Sequence, residues 1–359
     1  MKRVLFTDAH CHTFSQFSKQ EGETQNMRLF HALEAIRQVR EYCDQNSVKE
    51  VWFLGDLFEE REVIRTEVMN GVFDEIEKLA KGRKLTFLTG NHDFDWKELH
   101  SALHSLRSLG VTVYENNIHL PSPVDVDTRV AFVPYTNDPE VVRRAVESLC
   151  AFDAKHRILL GHLAVEGAVV GWHEYQPPIG ISPSVFKPLI EKGGVVRLGH
   201  YHKRQEVMPG VEYIGALIPR TFAEAGNVPG FTVLDFQDGH VKEEFVEVSA
   251  PQFVILREGD DDWMGIDPDR GSTLLTGNYV RYDGERRDEE EKIRQAIKRH
   301  MPRAITFNWT RSYKKEARLP EVKPTTELPE MIEKYVTQEK GPLDDKKLVD
   351  VGLKTSETV

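Results

Sequence analysis

Short apolar runs alternate with longer amphipathic stretches over residues 2–240, and Gly, Asp, Asn or Pro bounds the short runs. Bounded apolar runs of this kind predict strands that end in loops, and helical spacing of apolar residues predicts helices. We predict strands at Arg3–Thr7, Val51–Leu54, Leu85–Thr89, Val130–Pro134, Arg157–Leu160, Val195–Leu198 and Phe231–Phe236, and helices at Gln25–Gln45, Glu62–Ala80 and Trp96–Ser108. This alternation indicates a layered α/β fold, a sandwich of sheets flanked by helices.

A second, smaller unit is predicted after residue 248. It contains strands at Phe253–Leu256, Asn278–Tyr282 and Ala304–Trp309, and a helix at Glu289–Met301 whose first turn is acidic and whose later turns are basic. That distribution of charge suits the helix dipole. We therefore predict a small α/β domain over residues 249–318, following a larger domain over residues 1–248.

The C-terminal segment, residues 319–359, has three prolines near its start and then an apolar stripe at helical spacing. The stripe consists of Leu328, Met331, Ile332, Tyr335 and Val336. Such a stripe predicts an amphipathic helix, which either folds back on its own core or binds a partner. We favour partner binding, because the proline-rich linker separates the helix from the core.

Composition narrows the class of protein. There is no apolar run near the ~18 residues that a membrane span requires, and the first ten residues lack the apolar stretch of a secretory signal. The three cysteines, Cys11, Cys43 and Cys150, are widely spaced and include no CxxC pair. Neither a disulfide framework nor a zinc–thiolate site is expected, and a cytoplasmic location is predicted.

The formal net charge of −11 argues against a nucleic-acid partner, but its distribution reverses that inference. Residues 292–318 contain nine basic residues and one acid, a local charge of +8, so the remaining residues sum to −19. Basic residues interleaved with Phe307, Trp309 and Tyr313 are typical of contact with phosphates. The candidates for DNA binding are Lys292, Arg294, Lys298, Arg299, Arg303, Arg311, Lys314 and Lys315. A solvated helix face with core aromatics is the alternative interpretation.

Five short polar motifs, each at the end of a predicted strand, are the strongest chemical signal. They are Asp8-Ala9-His10, Gly55-Asp56, Gly90-Asn91-His92-Asp93, Gly161-His162 and Gly199-His200-Tyr201-His202. Loops at the carboxyl ends of strands meet in one crevice of an α/β sheet, so these side chains are expected to converge. Nitrogen and oxygen donors without thiolates suit Mn²⁺, Fe²⁺ or Zn²⁺.

Seven candidate ligands are too many for one such ion and about right for two that share a carboxylate. Two metal ions ~3.5–4 Å apart can activate a water and neutralise the oxygens of a phosphate. The leaving oxygen then needs a proton, and His92, beside Asn91, is the candidate general acid. Asp93, the next residue, is the second candidate catalytic residue. His12 and His173 are weaker candidates for residues that line the pocket.

The ordered set of motifs resembles the calcineurin-like metallophosphoesterase superfamily. The resemblance implies that Asp8, His10, Asp56 and His202 hold one metal and that Asp56, Asn91, His162 and His200 hold the other. Asp56 would be the bridging ligand and His92 the proton donor.

Further stretches resemble SbcD-type DNA-repair nucleases, in bacterial or phage form. They are His200–Gln205, Tyr213–Ala216, Pro219–Glu224 and Gly55–Phe58; Ala216 and Glu59 depart from the family's usual Ser and Asp. The resemblance implies a Mn²⁺-dependent 3′→5′ exonuclease on duplex DNA and endonuclease on single strands, although Mg²⁺, Fe²⁺ or Zn²⁺ would also suit the donors.

The same resemblance implies a homodimer assembled with an SbcC-type coiled-coil ATPase, with residues 249–318 as a cap and the tail as the ATPase-binding segment. The leucine stripe of the predicted helix at Trp96–Ser108 is the candidate dimer contact, and packing on its own sheet is the alternative. A small-molecule phosphatase or cyclic-nucleotide phosphodiesterase on the same core remains the rival function, and a catalytically inactive scaffold is a further one.

Overall fold

The computed structural model describes residues 2–19, 23–116, 119–123, 127–171, 174–237, 240–259 and 274–309, together with residues 330–332, 334, 336 and 349. The chain divides into two compact units, Met1–Trp309 and Thr310–Val359. Among the helices that the structure describes, none combines the length and the apolar character that crossing a bilayer requires.

The described part of the chain forms 17 strands. In chain order they are β1 Lys2–Phe6, β2 Glu50–Phe53, β3 Lys84–Leu88, β4 Phe94–Asp95, β5 His100–Ser101, β6 Thr112–Tyr114, β7 His119–Pro123, β8 Thr128–Val133, β9 His156–His162, β10 Val195–Gly199, β11 Gln205–Met208, β12 Val211–Tyr213, β13 Gly230–Gln237, β14 His240–Glu247, β15 Phe253–Arg257, β16 Tyr279–Gly284 and β17 Ala304–Trp309. The α-helices are α1 Met27–Gln45, α2 Thr66–Ala80, α3 Pro139–Ala151, α4 Lys187–Glu191 and α5 Glu290–Lys298.

Two six-stranded sheets form the main body. The first has the order β14-β13-β1-β2-β3-β6, and the second has the order β11-β12-β10-β9-β8-β7. Strands β1, β2, β3 and β6 pair in parallel, as do β8, β9, β10 and β12. The carboxyl ends of the parallel strands in each sheet therefore lie along a common edge, where loop residues from distant parts of the chain can meet.

Alternating side chains on the strands build three apolar layers. Leu5 and Trp52 of the first sheet join Val130 and Ile158 of the second in a cluster between the sheets. Val4 and Phe6 point to the opposite face and pack with the apolar sides of α1 and α2. On the outer face of the second sheet, residues of β8 and β9 pack against α3. The predicted layered α/β fold is confirmed.

The small α/β unit consists of the parallel sheet β15-β16-β17 and helix α5. Ile293 and Ile297 of α5 are buried against Val280 and Tyr282 of the sheet. Its element order is the predicted one, although the domain boundaries at 248 and 318 stay a prediction. An aromatic cluster of Phe222, Phe253 and Tyr279 joins this sheet to the main body.

The prediction of a helix at Trp96–Ser108 is wrong. The segment forms the short hairpin β4–β5 and then a 3-10 helix at His104–Leu109. Leu103 and Leu106 are fully buried in the layer of α1 and α2, whereas Leu99 lies in the hairpin turn with 65% of its surface exposed. The buried leucines thus fit the alternative of packing within the chain's own core, and the dimer contact stays a prediction.

Little of the predicted C-terminal helix lies among the described residues. Met331, Ile332 and Val336 are helical, and Leu328 and Tyr335 lie outside the described residues. A role of this stripe in partner binding stays a prediction.

Candidate metal centre

The backbone at the strand ends holds unusual conformations. Asp8 and His10 after β1, Asp56 after β2 and His200 after β10 all have positive φ, at 52°, 43°, 58° and 101° respectively. Residues other than glycine seldom occupy this region, and when they do the strain concentrates at functional sites. The turns direct these four side chains away from the regular alternation of the strands.

Two glycines allow the loops to approach closely. A Cβ on Gly55, which has φ of 103°, would collide with the imidazole of His162, and a Cβ on Gly90 would collide with the carboxylate of Asp56. Glycine is therefore required at both positions for the loop after β2 to lie against β9 and against the loop after β3.

Asp8, His10 and His202 form the first group able to hold a metal ion. Nε2 of His10 and Nε2 of His202 lie 3.1 Å apart, and they lie 3.7 and 3.5 Å from Oδ1 of Asp8. That oxygen is buried and has no hydrogen-bond partner. A buried acceptor without a donor is costly, and three ligand atoms at these separations can share one cation with bonds of about 2.0–2.2 Å.

Asp56, His162 and His200 form a second group, which Asn91 completes. Oδ2 of Asp56 lies 3.3 Å from Nε2 of His162, and Oδ1 of Asn91 lies 3.2 Å from that nitrogen and 2.9 Å from Nδ1 of His200. The same Oδ2 of Asp56 lies 3.7 Å from Nε2 of His10 in the first group. The structure thus brings all seven predicted ligands together, with Asp56 between the two groups.

The donor set fits divalent cations, because every member is an imidazole nitrogen, a carboxylate oxygen or an amide oxygen. Burial would lower the pKa of His162, but the Asp56 carboxylate raises it to about 9. Burial would raise the pKa of Asp8, but His10 and His202 hold it well below its usual range. Carboxylates that stabilise protons on neighbouring imidazoles in this way can stabilise a cation in their place.

Residues behind the ligands fix their orientation. Nδ1 of His162 lies 2.7 Å from the carbonyl oxygen of Leu54, and Nδ1 of His202 lies 2.9 Å from Oε1 of Glu224. Glu59 lies 2.8 Å from Nδ1 of His10 and also pairs with Arg220. These contacts leave the Nε2 atoms for a metal, as is usual for ligating histidines.

His92 and Asp93 have different surroundings. Nδ1 of His92 lies 2.6 Å from the carbonyl oxygen of Glu59, and its backbone N–H donates to Asp56. Burial lowers the pKa of His92, although the Asp56 carboxylate opposes this. Asp93 is fully buried, and its carboxylate accepts four backbone N–H bonds, from Asp56, Leu57, Phe58 and Gly90. We therefore assign Asp93 to positioning the Asp56 loop rather than to catalysis.

The ligands open into a cavity of about 320 Å³. Besides several of the predicted ligands, its lining includes His92, Arg220, Lys203 and Glu224. Nε of Arg220 is buried without a hydrogen-bond partner. Arg220 and Glu224 belong to a stretch that carries the family resemblance, and Glu59 directly follows another. The contacts of these three residues with ligands were not predicted, because spacing along the chain does not reveal them.

Of the two weaker pocket candidates, His12 is the one among the described residues. Nε2 of His12 lies 3.2 Å from Glu60, and His12 is not among the residues that line the cavity. His173 lies outside the described residues. An unpredicted neighbour is Tyr135, whose ring centroid lies 5.6 Å from that of His200 and 6.2 Å from that of His162.

The candidates for DNA binding fall into three sets. Lys292, Lys298 and Arg299 are exposed on or beside α5. Arg294 pairs with Glu290 and lies over the ring of Phe307, and Arg303 pairs with Glu23. Phe307 and Trp309 stack on each other and pack against the core of the small unit. Arg311, Lys314 and Lys315 lie outside the described residues.

No family model matches this sequence. Among solved structures, a dimetal phosphatase from Danio rerio aligns with 69% of this chain and 99% of its own, at 13% identity and a TM-score of 0.41. The nuclease MPE from Pseudomonas putida aligns with 51% of this chain and 74% of its own, at 15% identity and a TM-score of 0.27. At these scores neither likeness decides the function, which has to be inferred from the side chains.

Proposed function

We propose that this chain is a dinuclear-metal phosphodiesterase of the calcineurin-like metallophosphoesterase superfamily that cleaves DNA, as SbcD-type nucleases do. One observation carries the proposal: two groups of ligands meet at Asp56, and the imidazole of His92 lines the same cavity. A site of this kind combines charge for a phosphate with a group that can protonate a leaving oxygen.

Different groups in the cavity would activate water, transfer a proton and bind the phosphate. Bound metal ions would supply Lewis acidity and an activated water. The carbonyl oxygen of Glu59 holds Nδ1 of His92 at 2.6 Å, so Nε2 is the ring nitrogen that can transfer a proton. Arg220, which pairs with Glu59, lies beside His10 in the cavity lining, where a guanidinium can also donate hydrogen bonds to a bound phosphate.

The resemblance to SbcD-type nucleases favours manganese, and the nitrogen and oxygen donors also allow Mg²⁺, Fe²⁺ or Zn²⁺. Adding each ion separately to metal-free protein and measuring the rate of DNA cleavage tests this assignment. We expect Mn²⁺ to restore the highest rate, and a higher rate with Zn²⁺ would replace manganese as the assigned metal.

DNA as the substrate is supported by charge. Lys292, Lys298 and Arg299 present three exposed cations on the small unit, and residues 311–318 add more basic side chains in sequence. The small unit is anchored near the cavity, because Arg28 donates to the carbonyl oxygen of Arg220 and lies over the rings of Phe253 and Tyr279. These contacts favour a capping domain that guides a polyanion toward the metals.

Substitution of these three cations by Gln tests their role in DNA binding. Each lost phosphate contact should reduce the slope of log affinity against log salt by about 1. The matched control replaces three exposed lysines elsewhere, Lys49, Lys81 and Lys187. An equal change of slope in both triple variants would contradict the assignment.

The assembly is a further part of the proposal. The Thr310–Val359 unit would bind an SbcC-type coiled-coil ATPase through its amphipathic stripe, within a homodimer-based heterotetramer in the cytoplasm. A chain that ends at Arg318 should keep manganese-dependent cleavage and lose the ATPase. Co-elution of that shortened chain with the ATPase would contradict this role of the tail.

Activity on two substrates separates the nuclease from the rival phosphatase. We expect Mn²⁺-dependent cleavage of end-labelled linear duplex DNA from its 3′ ends and slow turnover of 4-nitrophenyl phosphate. Asp56→Asn, which removes the negative charge of the shared ligand, is the control for contaminating nucleases. Efficient ester turnover without DNA cleavage would establish a small-molecule phosphatase instead.

A further inference from the structure

Beside the metal cavity lies a second cavity of about 430 Å³ that the metal chemistry does not use. It is lined by Arg61, Asn91, Trp96, Tyr135, Thr136 and Asn137. Asn91 also lines the metal cavity, so the two spaces share a wall at a metal-ligand residue. The volume falls within the range of ~300–1,000 Å³ that is usual for small-molecule sites.

Two aromatic side chains, Trp96 and Tyr135, line this cavity. Trp96 is exposed over 44% of its surface, although a tryptophan is a costly residue to leave in water. Its ring centroid lies 5.9 Å from that of Tyr135, which in turn lies 5.6 Å from His200. A row of aromatic rings therefore leads outward from the ligands of the second metal group.

The exposed ring is held in place. Trp96 lies in the turn between β4 and β5, where Oδ1 of Asp95 accepts the backbone N–H bonds of Lys97 and Glu98. The ring packs against Phe94, which is buried, at a centroid distance of 4.7 Å. Tyr135 is anchored by the bond from its backbone N–H to the carbonyl oxygen of Thr89. Rigid aromatic surfaces lose little conformational entropy when a planar ligand stacks on them.

Charge favours a nucleotide over an uncharged aromatic ligand. Arg61 is exposed at the cavity and forms no ion pair with any residue that the structure describes, whereas nearby Lys97 is neutralised by Glu62. A planar base on the rings and a phosphate near Arg61 would satisfy both features at once.

We propose that Trp96 and Tyr135 form a stacking subsite for a nucleobase next to the scissile phosphate. This inference rests on the proposed phosphodiesterase function and adds the substrate class that the metal centre alone does not specify. Stacking selects for bases without reading their sequence, because every base has a π-face.

Two diesters with the same leaving group test the subsite. Thymidine 5′-(4-nitrophenyl phosphate) carries a base, and methyl 4-nitrophenyl phosphate does not. The measured quantity is the ratio of kcat/KM for the two diesters with Mn²⁺, which cancels differences in the fraction of active protein. We expect Trp96→Ala to lower this ratio by roughly 5- to 150-fold, mainly through KM, as expected when stacking on one ring is lost.

Matched variants make the result specific. Trp96→Phe keeps an aromatic face and should retain most of the ratio, and Leu99→Ala removes an exposed apolar side chain from the same turn and should leave it unchanged. An unchanged ratio in Trp96→Ala, with the wild type favouring the thymidine diester, would overturn the subsite alone. A wild type that hydrolyses neither diester with any divalent metal would overturn the phosphodiesterase function itself.

Discussion

Nδ1 of His202 donates a hydrogen bond to Oε1 of Glu224 across a distance of 2.9 Å. Burial would lower the pKa of His202, but Glu224 and Asp8 raise it to about 10. Burial would raise the pKa of Glu224, but His202 lowers it below its usual value. The second oxygen of Glu224 accepts the backbone N–H bond of Arg220. Glu224 therefore orients a metal ligand and fixes the loop that carries Arg220.

Glu224→Gln should weaken metal binding while the protein stays folded. The amide removes the negative charge behind His202, and loss of such a partner typically reduces metal affinity by ~10–100-fold. Titration of metal-free protein with Mn²⁺ in a calorimeter measures the change. Glu147→Gln, an exposed residue of α3, is the matched control. Equal affinities in both variants would mean that Glu224 does not support the ligand.

His92→Asn should separate catalysis from metal binding. The variant removes the proposed proton donor and keeps Asp8, Asp56 and the other ligands, so we expect cleavage to fall by ~10²–10⁴-fold. Metal content, measured by elemental analysis, should equal that of the wild type. His104→Asn, at an exposed histidine, is the control. A loss of cleavage that parallels a loss of metal would reassign His92 to metal binding.

The sequence predicted the parts of the molecule that follow from local patterns. Each of the ten predicted strands is present, because a buried strand requires a run of apolar residues whatever its neighbours are. The convergence of the ligands also followed, because parallel strands end at a common edge. The ligand motifs directly follow the predicted strands, so their positions in the sequence were enough to predict that they meet.

The failures involve contacts between distant segments. The leucine spacing of Trp96–Ser108 fits a helix, yet a hairpin forms first. Leu103 then reaches the core from the position before a 3-10 helix, and Leu106 from within it. Helical spacing reports which residues are apolar and does not exclude a tighter helix. The partnership of Glu224 with His202, and of Arg220 with Glu59, depends on loops folding over one another, which spacing does not encode.

Asp93→Asn should destabilise the protein strongly. The buried carboxylate accepts four backbone N–H bonds from two loops, and an amide would turn its own N–H₂ toward some of these donors. We expect the free energy of unfolding in urea to fall by about 2–5 kcal/mol. Asp95→Asn, two residues away at the end of β4, keeps an acceptor oxygen for the turn that follows and should cost less than about 1 kcal/mol. Similar losses in the two variants would contradict the positioning role of Asp93.

His31 of α1 should make the protein sensitive to mild acid. Burial and, secondarily, Arg303 lower its pKa from 6.5 to about 4, Arg28 acts in the same direction and Glu23 opposes them. Its Nε2 is buried without a hydrogen-bond partner. The unfolded chain binds a proton at this residue near pH 6.5 and the folded protein does not until about pH 4. The contribution of neutral His31 to the free energy of unfolding is therefore fully present above pH 6.5 and is lost as the pH falls toward 4.

Urea unfolding of the wild type and of His31→Gln at pH 7.5 and pH 4.5 measures this effect. Between pH 7.5 and pH 4.5 the free energy of unfolding of the wild type should fall by about 1–2 kcal/mol more than that of the variant. This value is smaller than the full pKa shift would give, because the ring is partly exposed. The carboxylates titrate equally in both proteins, so their effect cancels in the comparison. His104→Gln, at an exposed histidine, should lose as much as the wild type. If His31→Gln does so as well, His31 is not the acid-sensitive group.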